Sequence, residues 1–394
     1  MIDPLELSET GRRSRQLTPG QLRALRASKF VSLTPPQPGS VDWTIAGNRG
    51  WVGVFWADDL LVRLVPKLSI ARVLFLAGHG IRSSDEWYDE AAETRTDEGV
   101  VPAVANMLWR QAQQALRINP LSGYVPVTES STTVRGRVRL ADQLRRHYDQ
   151  DFPFEIGYDD FGVDIPENRI LLAAITLLLE TRGLDDVSTE QLNRVRRTLD
   201  GVSPLRRGAP LPPWQPTRQN AHYHSVLRLS ELLLGAASPE HGRGGFATNG
   251  FVFNLEKVFE SFVTVAVSTA LGERIPGVGL PQYPWHLDER RLLKMNPDLV
   301  WQMDGRPVAV VDAKYKRKQP AEDFYQMLAY CAALGVDRGH LVYADGKPGE
   351  VRHKTRGGRH ELFAHTLDLT RPRTELMAQI TRIADRIAET AYTK

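Results

Sequence analysis

Two apolar runs that meet acidic motifs constrain this chain most strongly. The run 306–316 is typical of a buried strand, and it closes with Asp312-Ala313-Lys314. Successive strand residues point to opposite faces, so Asp312 and Lys314 share one face while Ala313 lies on the other. We therefore expect an acid and an amine to emerge side by side at the end of this strand.

A hairpin between the two runs brings their polar groups together. The preceding run, 298–303, is joined to the strand by Asp304-Gly305, a dipeptide that favours a tight hairpin turn. Such a hairpin carries Asp298, which follows Pro297, back beside Asp312. Two carboxylates and one ammonium group then converge, and this set suits a hard cation that polarises a phosphodiester and activates a water molecule.

Predicted helices on both sides of the hairpin supply further candidate residues. Residues 253–263 have helical apolar spacing, which places Glu256 and Glu260 on one face. Downstream, Gln326 and Tyr330 lie four residues apart on a second predicted helix. The order of these elements resembles the core of the PD-(D/E)xK nucleases, in which a helix is followed by a hairpin and then by a helix with Gln-x-x-x-Tyr.

Composition bounds the other function classes. The 394 residues suffice for two or three domains, and 42% hydrophobic with 25% charged residues is typical of a globular protein. A net charge of +3 permits contact with nucleic acid through a local basic patch. The single cysteine, Cys331, excludes a disulfide framework within the chain, and the sequence has no P-loop motif of an NTPase.

The sequence contains no membrane or export signal that we can identify. No apolar run approaches the roughly 20 residues that a membrane helix needs. The N-terminal residues lack the basic and then apolar pattern of a signal peptide. We therefore expect no membrane association and a cytoplasmic location.

The predicted elements favour an α/β chain of the α+β multidomain kind in three parts. Residues 1–165 form a β-rich N-terminal domain, in which one predicted strand covers 133–140, and residues 166–240 form a helical connector. Residues 241–394 form a mixed sheet flanked by helices. An acidic stretch at 82–99 has no periodicity, so we predict a loop there.

Several stretches between residues 45 and 345 carry a family resemblance. They are Val52–Lys67, Tyr124–Val127, Val134–Val138, Asp164–Leu171, Asn254–Glu260, Pro297-Asp298, Asp312-Ala313-Lys314 and Asp323–Gln326. In this order they resemble the McrC family, the nuclease subunit of McrBC-type systems that restrict DNA containing modified cytosine.

The resemblance implies a reaction and a partner. It implies a C-terminal endonuclease of the PD-(D/E)xK type that hydrolyses DNA phosphodiesters with Mg²⁺, or with Mn²⁺ in its place. We expect Asp298, Asp312 and the backbone carbonyl of Ala313 to bind this metal ion, and Lys314 to orient the attacking water. It also implies an N-terminal domain that binds and stimulates a hexameric AAA+ GTPase or ATPase of the McrB type.

Two helices of the predicted nuclease core carry supporting residues. Phe259-Glu260 matches the family motif, so Glu260 rather than Glu256 is expected to complete the metal site through water; a solvated glutamate is the alternative. Gln326 and Tyr330 are expected to position the lysine, the acids or the DNA backbone, with ordinary helix packing as the alternative.

Two basic groups have a binding and a structural interpretation. Residues 316–318, Lys-Arg-Lys, either contact DNA phosphates or form a solvated loop. Arg135 and Arg137 either reach the partner's nucleotide as an arginine finger or hold acids within the N-terminal domain. We favour the structural interpretation for this arginine pair.

Two other functions compete with the endonuclease. A regulatory or scaffold subunit would stimulate the NTPase without cutting, but the complete set Asp298, Asp312 and Lys314 argues against that function. A stand-alone nuclease would not need so large an N-terminal domain. The sequence leaves open which DNA modification is targeted and whether the partner uses GTP or ATP.

Overall fold

The structure is a computed structural model that describes residues 4–9, 11–69, 72–73, 75–76, 100–148, 152–206, 209–237, 250–316, 319–344 and 348–391. The acidic stretch at 82–99, Arg317 and Lys318 lie outside the described residues. Contacts divide the chain into two compact units, one of residues 1–100 with 240–394 and one of residues 101–239.

Strands and helices follow one another in a mixed order. The N-terminal elements are β1 (Leu5–Ser8), β2 (Arg12–Arg15), α1 (Pro19–Ala27), β3 (Val31–Thr34), β4 (Trp43–Gly47), β5 (Trp51–Ala57) and β6 (Leu60–Val65). The middle elements are α2 (Val100–Ala115), β7 (Gly123–Ser131), β8 (Arg137–Val138), α3 (Leu140–Arg146), β9 (Phe154–Gly162), α4 (Pro166–Glu180), α5 (Asp186–Thr198), a 3-10 turn (Ala221–Tyr223) and α6 (His224–Ala236).

The C-terminal elements complete the first unit. They are β10 (Phe251–Asn254), α7 (Leu255–Gly272), β11 (Val278–Pro281), β12 (Trp285–His286), β13 (Lys294–Met295), β14 (Leu299–Met303), β15 (Arg306–Lys314), α8 (Ala321–Leu334), β16 (Arg338–Ala344), β17 (Gly349–Lys354), β18 (Glu361–Leu367) and α9 (Arg373–Ala391). Among the described residues, we find no helix with the length and apolar character to cross a membrane.

A small N-terminal sheet is completed by a strand from the C-terminal part of the chain. Its order is β1-β6-β5-β10, and β10 pairs antiparallel with β5 so that Phe251 faces Val54. Helix α7 follows β10 directly, and the backbone N–H of Leu255 donates to the carbonyl of Gly50 at 2.7 Å. The N-terminal sheet therefore determines where α7 begins.

This pairing explains why the structure divides the chain differently from the sequence. The predicted boundary at 240 coincides with the end of the second unit at residue 239, but this unit begins at residue 101 rather than 166, and residues 1–100 pack with the C-terminal part. Sequence patterns identify strands but do not show which distant strand completes a sheet. The partner-binding role of residues 1–165 stays a prediction.

A six-stranded mixed sheet forms the centre of the first unit. Its order is β11-β14-β15-β16-β18-β17; β15, β16 and β18 run parallel and the other neighbours are antiparallel. The predicted hairpin is confirmed, since β14 and β15 are joined by Asp304 at φ 49° and Gly305 at φ 74°. Positive φ at both turn residues is the geometry that Asp-Gly favours.

Helices cover both faces of this sheet. Leu299 and Val311 belong to the core that includes residues of α7 and α9, whereas Val300 and Val310 belong to the core that includes residues of α8. Both strands are buried on two faces, which explains their nearly continuous apolar sequence. The predicted mixed sheet flanked by helices is therefore present.

The second unit combines a three-stranded sheet, in the order β7-β9-β8, with helices. The strand predicted over 133–140 is wrong in extent, because only Arg137–Val138 pairs. Gly136 has φ 77°, and a Cβ there would lie 2.4 Å from the carbonyl oxygen of Gly157, so the chain turns sharply before β8.

The segment Asp164–Leu171 is held by polar contacts within this unit. Asp164 forms an ion pair with Arg169 at 2.7 Å and accepts hydrogen bonds from the backbone and hydroxyl of Ser203. Asn168 is fully buried, and its Nδ2 donates to the carbonyls of Leu121 at 2.8 Å and Val163 at 2.7 Å. These bonds attach the start of α4 to the preceding loops.

We predict that Gly53→Ala destabilises the first unit. Gly53 has φ 137°, and a Cβ there would lie 2.2 Å from the carbonyl oxygen of Phe251 on β10. Strain and overlap together should lower the free energy of unfolding by about 3 kcal/mol. Thermal unfolding of the purified protein measures the change.

Gly39→Ala is the control for this variant. Gly39 also has a positive φ, of 89°, but a Cβ there meets no atom within 4 Å. The substitution should lower the free energy of unfolding by about 1 kcal/mol, because it adds only backbone strain. Equal losses for both variants would contradict the close approach of β5 and β10.

Candidate active site

Asp298 and Asp312 lie opposite each other at the end of the hairpin. Leu299 pairs with Val311, so the next pair in the same register is Asp298 with Asp312. The backbone N–H of Ala313 donates to Asp298 Oδ2 at 2.8 Å. Asp298 is 7% exposed and Asp312 is 3% exposed, so the two acids share a site from which most water is excluded.

Lys314 completes this group, as the sequence predicts. Its Nζ lies 2.5 Å from Asp312 Oδ2. Burial by itself lowers the pKa of Lys314, but the charges of Asp312 and Asp298 outweigh burial and leave this pKa raised. The ammonium group therefore stays charged beside the acids.

Burial is the largest cause of the raised pKa of both acids, and their neighbouring groups differ. Burial raises the pKa of Asp298, while hydrogen bonds from Ala313 and Gln282 and the charge of Lys314 oppose the shift. Burial and then the charge of Asp298 raise the pKa of Asp312, against the attraction of Lys314. One lysine does not balance two buried carboxylates, so a further cation would stabilise both.

Glu260 of α7 joins the acidic group. Burial, followed by the negative charges of Asp298 and Asp312, raises its pKa to about 7. Glu256, one turn earlier, is exposed in the first turn that Asn254 caps. The structure therefore brings Glu260 rather than Glu256 to the site.

Helix α8 contributes Tyr330, and Gln326 bonds to it. Burial and then the charges of Asp312 and Asp298 raise the pKa of the buried Tyr330 hydroxyl. The exposed Gln326 donates from Nε2 to Tyr330 Oη at 2.8 Å. The contact orients the tyrosine beside the acids, and a catalytic role of either residue stays a prediction.

Gln282 is a site residue that the sequence did not reveal. Its Nε2 donates to Asp298 Oδ1 at 2.8 Å, and its backbone N–H donates to the Asp298 carbonyl at 3.0 Å. Gln282 adopts φ 47°, a conformation that non-glycine residues rarely take and that recurs at functional sites. No motif or periodicity in the sequence marks this residue.

Asp323 is a second residue that the sequence prediction left out of the site. It is buried and accepts hydrogen bonds from Lys316 Nζ at 2.7 Å and from Tyr343 Oη at 3.0 Å. Lys316 is therefore bound within the protein. Both sequence interpretations, a contact with DNA phosphates and a solvated loop, left this partner out. Asp323 does belong to one of the sequence stretches of the family resemblance, and that was the available signal.

The residue that follows β15 also contacts the N-terminal segment of the same unit. Tyr315 Oη lies 3.4 Å from Glu9 Oε1, which also accepts from the backbone N–H of Lys67 at 3.0 Å. The ring of Tyr315 lies 6.0 Å from that of Phe259 on α7. These contacts fix the strand where Lys314 leaves the sheet.

The oxygen atoms of this site fit a hard divalent cation. Asp312 Oδ2 is buried and accepts no hydrogen bond of regular geometry among the described residues, apart from its ion pair with Lys314. The N–H and C=O of one extended residue point to the same strand edge, so the Ala313 carbonyl lies on the side of Asp298. Among the described residues, no three His, Cys, Asp or Glu side chains form a metal-binding group. A site with few protein ligands suits Mg²⁺, because this ion keeps several water molecules as ligands.

Arg135 and Arg137 lie in the second unit. The Arg135 guanidinium lies 4.6 Å from the centre of the Tyr158 ring and 4.0 Å from Asp160. Arg137 is exposed and begins β8. The contacts of Arg135 are of the structural kind that the sequence interpretation favoured, and a finger role for either arginine stays a prediction.

Comparison with known families gives the assignment. A family model described as McrBC 5-methylcytosine restriction system component matches residues 49–344, which is most of the chain. The chain belongs to this family. No curated protein matches it significantly.

A solved structure shows the same fold over nearly the whole chain. A chain of a Thermococcus gammatolerans structure, described as a half-complex of McrB AAA+ hexamers with bound McrC, matches with a TM-score of 0.58 at 16% identity. The match covers 98% of this chain and 100% of that one. A chain of a T. gammatolerans McrBC complex matches with a TM-score of 0.43 at 17% identity, over 68% of this chain and 88% of that one.

We predict that stability falls as the pH rises in protein without divalent cations. Between the ordinary pKa of 4.5 and the raised pKa of about 7 for Glu260, the folded state binds more protons than the unfolded state. The free energy of unfolding therefore decreases with rising pH across this window. Glu260→Gln should flatten the decrease, measured as Tm against pH in EDTA.

Glu256→Gln is the matched control, because this glutamate is exposed on the same helix. It should change the pH dependence of Tm much less, because the charge of Glu256 is the smallest of the contributions that shift the pKa of Glu260. If the two variants flatten the curve equally, the pKa of Glu260 is not set by the buried acids.

Proposed function

We propose that this chain is the DNA endonuclease subunit of an McrBC-type, modification-dependent restriction complex. The main observation that supports this proposal is the cluster of Asp298, Asp312 and Lys314 at the end of β15. A helix, the β14–β15 hairpin and a second helix surround it in the order of a PD-(D/E)xK nuclease. The reaction is Mg²⁺-dependent hydrolysis of a phosphodiester bond.

The chain's own groups have distinct tasks in this reaction. Asp298, Asp312 and the Ala313 carbonyl would hold Mg²⁺, which supplies Lewis acidity and an activated water when bound. Lys314 Nζ offsets the negative charge that develops on the phosphate and orients the water. Glu260, whose pKa is raised by burial and by the two acids, would complete the metal site through a water molecule.

Residues around the acids preserve their arrangement. Gln282 and the Ala313 N–H hold the two oxygens of Asp298, and Asp323 binds Lys316 just after the strand that carries Asp312. Such fixed positions matter because misplacement of reacting groups by about 1 Å can cost a hundredfold in rate. The exclusion of water strengthens every charge interaction in the cluster.

The proposal includes a hexameric AAA+ partner of the McrB type that uses GTP or ATP. McrC in the T. gammatolerans assembly is bound to McrB AAA+ hexamers, and the present chain shares its fold. The sequence of this chain has no P-loop of its own. We infer that the partner recognises modified cytosine and that this chain stimulates hydrolysis of GTP or ATP by the partner.

Asp312→Asn tests the catalytic assignment. The substitution keeps the shape of the side chain but removes a charged metal ligand, so DNA cleavage should fall by at least about a hundredfold. Stimulation of the partner's NTPase activity should persist, because the substitution does not change the N-terminal residues that we expect to bind the partner. Both rates are measured on the reconstituted complex with modified DNA and Mg²⁺.

Asp304→Asn is the control, since Asp304 occupies the turn of the same hairpin and is exposed. Asparagine tolerates its positive φ, so cleavage should match that of the wild type. Cleavage that survives Asp312→Asn would refute the assigned site. NTPase stimulation by a wild-type chain that never cuts would favour the scaffold function, and cutting without any partner would favour a stand-alone nuclease.

A further inference from the structure

A short exposed hairpin projects from the first unit between two residues of the candidate site. Gln282 precedes it and Asp298 follows it, and β12 and β13 pair within it. We propose that this hairpin, residues 283–296, binds duplex DNA beside the scissile phosphate. The inference rests on the proposed nuclease function and adds a substrate-binding element to it.

The base of the hairpin is firmly attached beside the acids. The backbone N–H of Tyr283 donates to the carbonyl of Pro297 at 3.1 Å, next to the bonds that hold Asp298. Met295 is buried in the core that includes α8 residues. Trp285 donates from Nε1 to the carbonyl of Ala333 at 3.2 Å, so the direction in which the hairpin leaves the protein is fixed.

The tip of the hairpin is ordered by its own hydrogen bonds. Asp288 Oδ1 accepts from the backbone N–H groups of Leu292 at 2.9 Å and Leu293 at 2.7 Å. Arg291 adopts φ 58° and donates its backbone N–H to the carbonyl of Asp288 at 3.1 Å. A tip ordered before binding loses little entropy when it meets a ligand.

The exposed chemistry of the tip is basic and apolar. Arg290, Arg291 and Lys294 are exposed and outnumber one exposed acid, Glu289, whereas Asp288 is turned inward to bond the tip. Two adjacent leucines also face solvent, with Leu292 73% exposed. Exposed arginines beside apolar side chains suit DNA, because arginines bind phosphates while leucine side chains pack in the groove or against a base step.

The tip of the hairpin is close enough to the acids for one DNA duplex to contact both. Pro297 lies six positions after Arg291, which limits their separation to roughly 20 Å at the rise of an extended strand. One turn of duplex DNA is about 34 Å long, so DNA bound at the tip can also reach the acids. The hairpin lies at the sheet end where β15 delivers Asp312, on the β11–β14 side of the sheet.

The matched control lies at the other end of the same sheet. Arg356 and Arg359 are exposed in the turn between β17 and β18, at the start of β18 rather than at its end. This turn belongs to the opposite edge of the sheet. It carries the same charge as Arg290 and Arg291 but is remote from the acids.

The test measures binding of a short labelled DNA duplex to the full chain without divalent metal, by fluorescence anisotropy at several salt concentrations. Arg290→Ala with Arg291→Ala should weaken binding about tenfold or more at low salt and reduce the slope of log affinity against log salt by nearly two. Leu292→Ala with Leu293→Ala should weaken binding without changing this slope. Arg356→Ala with Arg359→Ala should change neither quantity.

Three outcomes decide the proposal independently of cleavage. Wild-type affinity in both hairpin variants overturns it, whether or not the complex cuts DNA. Equal losses in the hairpin and control arginine variants also overturn it, because binding would then follow net charge alone. Unchanged DNA binding with loss of co-elution with the AAA+ partner would assign the hairpin to a protein interface. A failed cleavage assay alone refutes the nuclease function and leaves the binding result standing.

Discussion

The repulsion between buried carboxylates is the constraint on which the first unit depends. Asp298 and Asp312 lie side by side with little access to water, and Glu260 adds a third acid nearby. A fold that buries like charges must supply opposing groups, and here these are Lys314, the Ala313 N–H and Gln282. Such an arrangement is costly for stability, and a bound cation would offset part of that cost.

The surrounding architecture serves to hold these groups in place. The hairpin register sets Asp298 opposite Asp312, and the central sheet is buried between α7 and α9 on one face and α8 on the other. The N-terminal sheet sets the start of α7 through β10, and thereby the position of Glu260. Residues far apart in the sequence therefore share in shaping one site.

Much of the site could be predicted because its signals are local. Alternation along 306–316 and the Asp304-Gly305 turn are enough to bring two acids and a lysine together. Gln282 could not be predicted, because its role depends on a positive φ and on pairing of β11 with β14. Lys316 was not assigned correctly, since its buried partner Asp323 lies on another element.

The sequence by itself determined the hairpin, the flanking helices, the set of acids with their lysine and the family to which the chain belongs. These follow from side-chain periodicity, turn chemistry and motif order, which act over a few residues. Only the tertiary structure decided that β10 completes the N-terminal sheet and that Gln282 holds Asp298. Each of these depends on contacts between distant segments, whose partners no local pattern specifies.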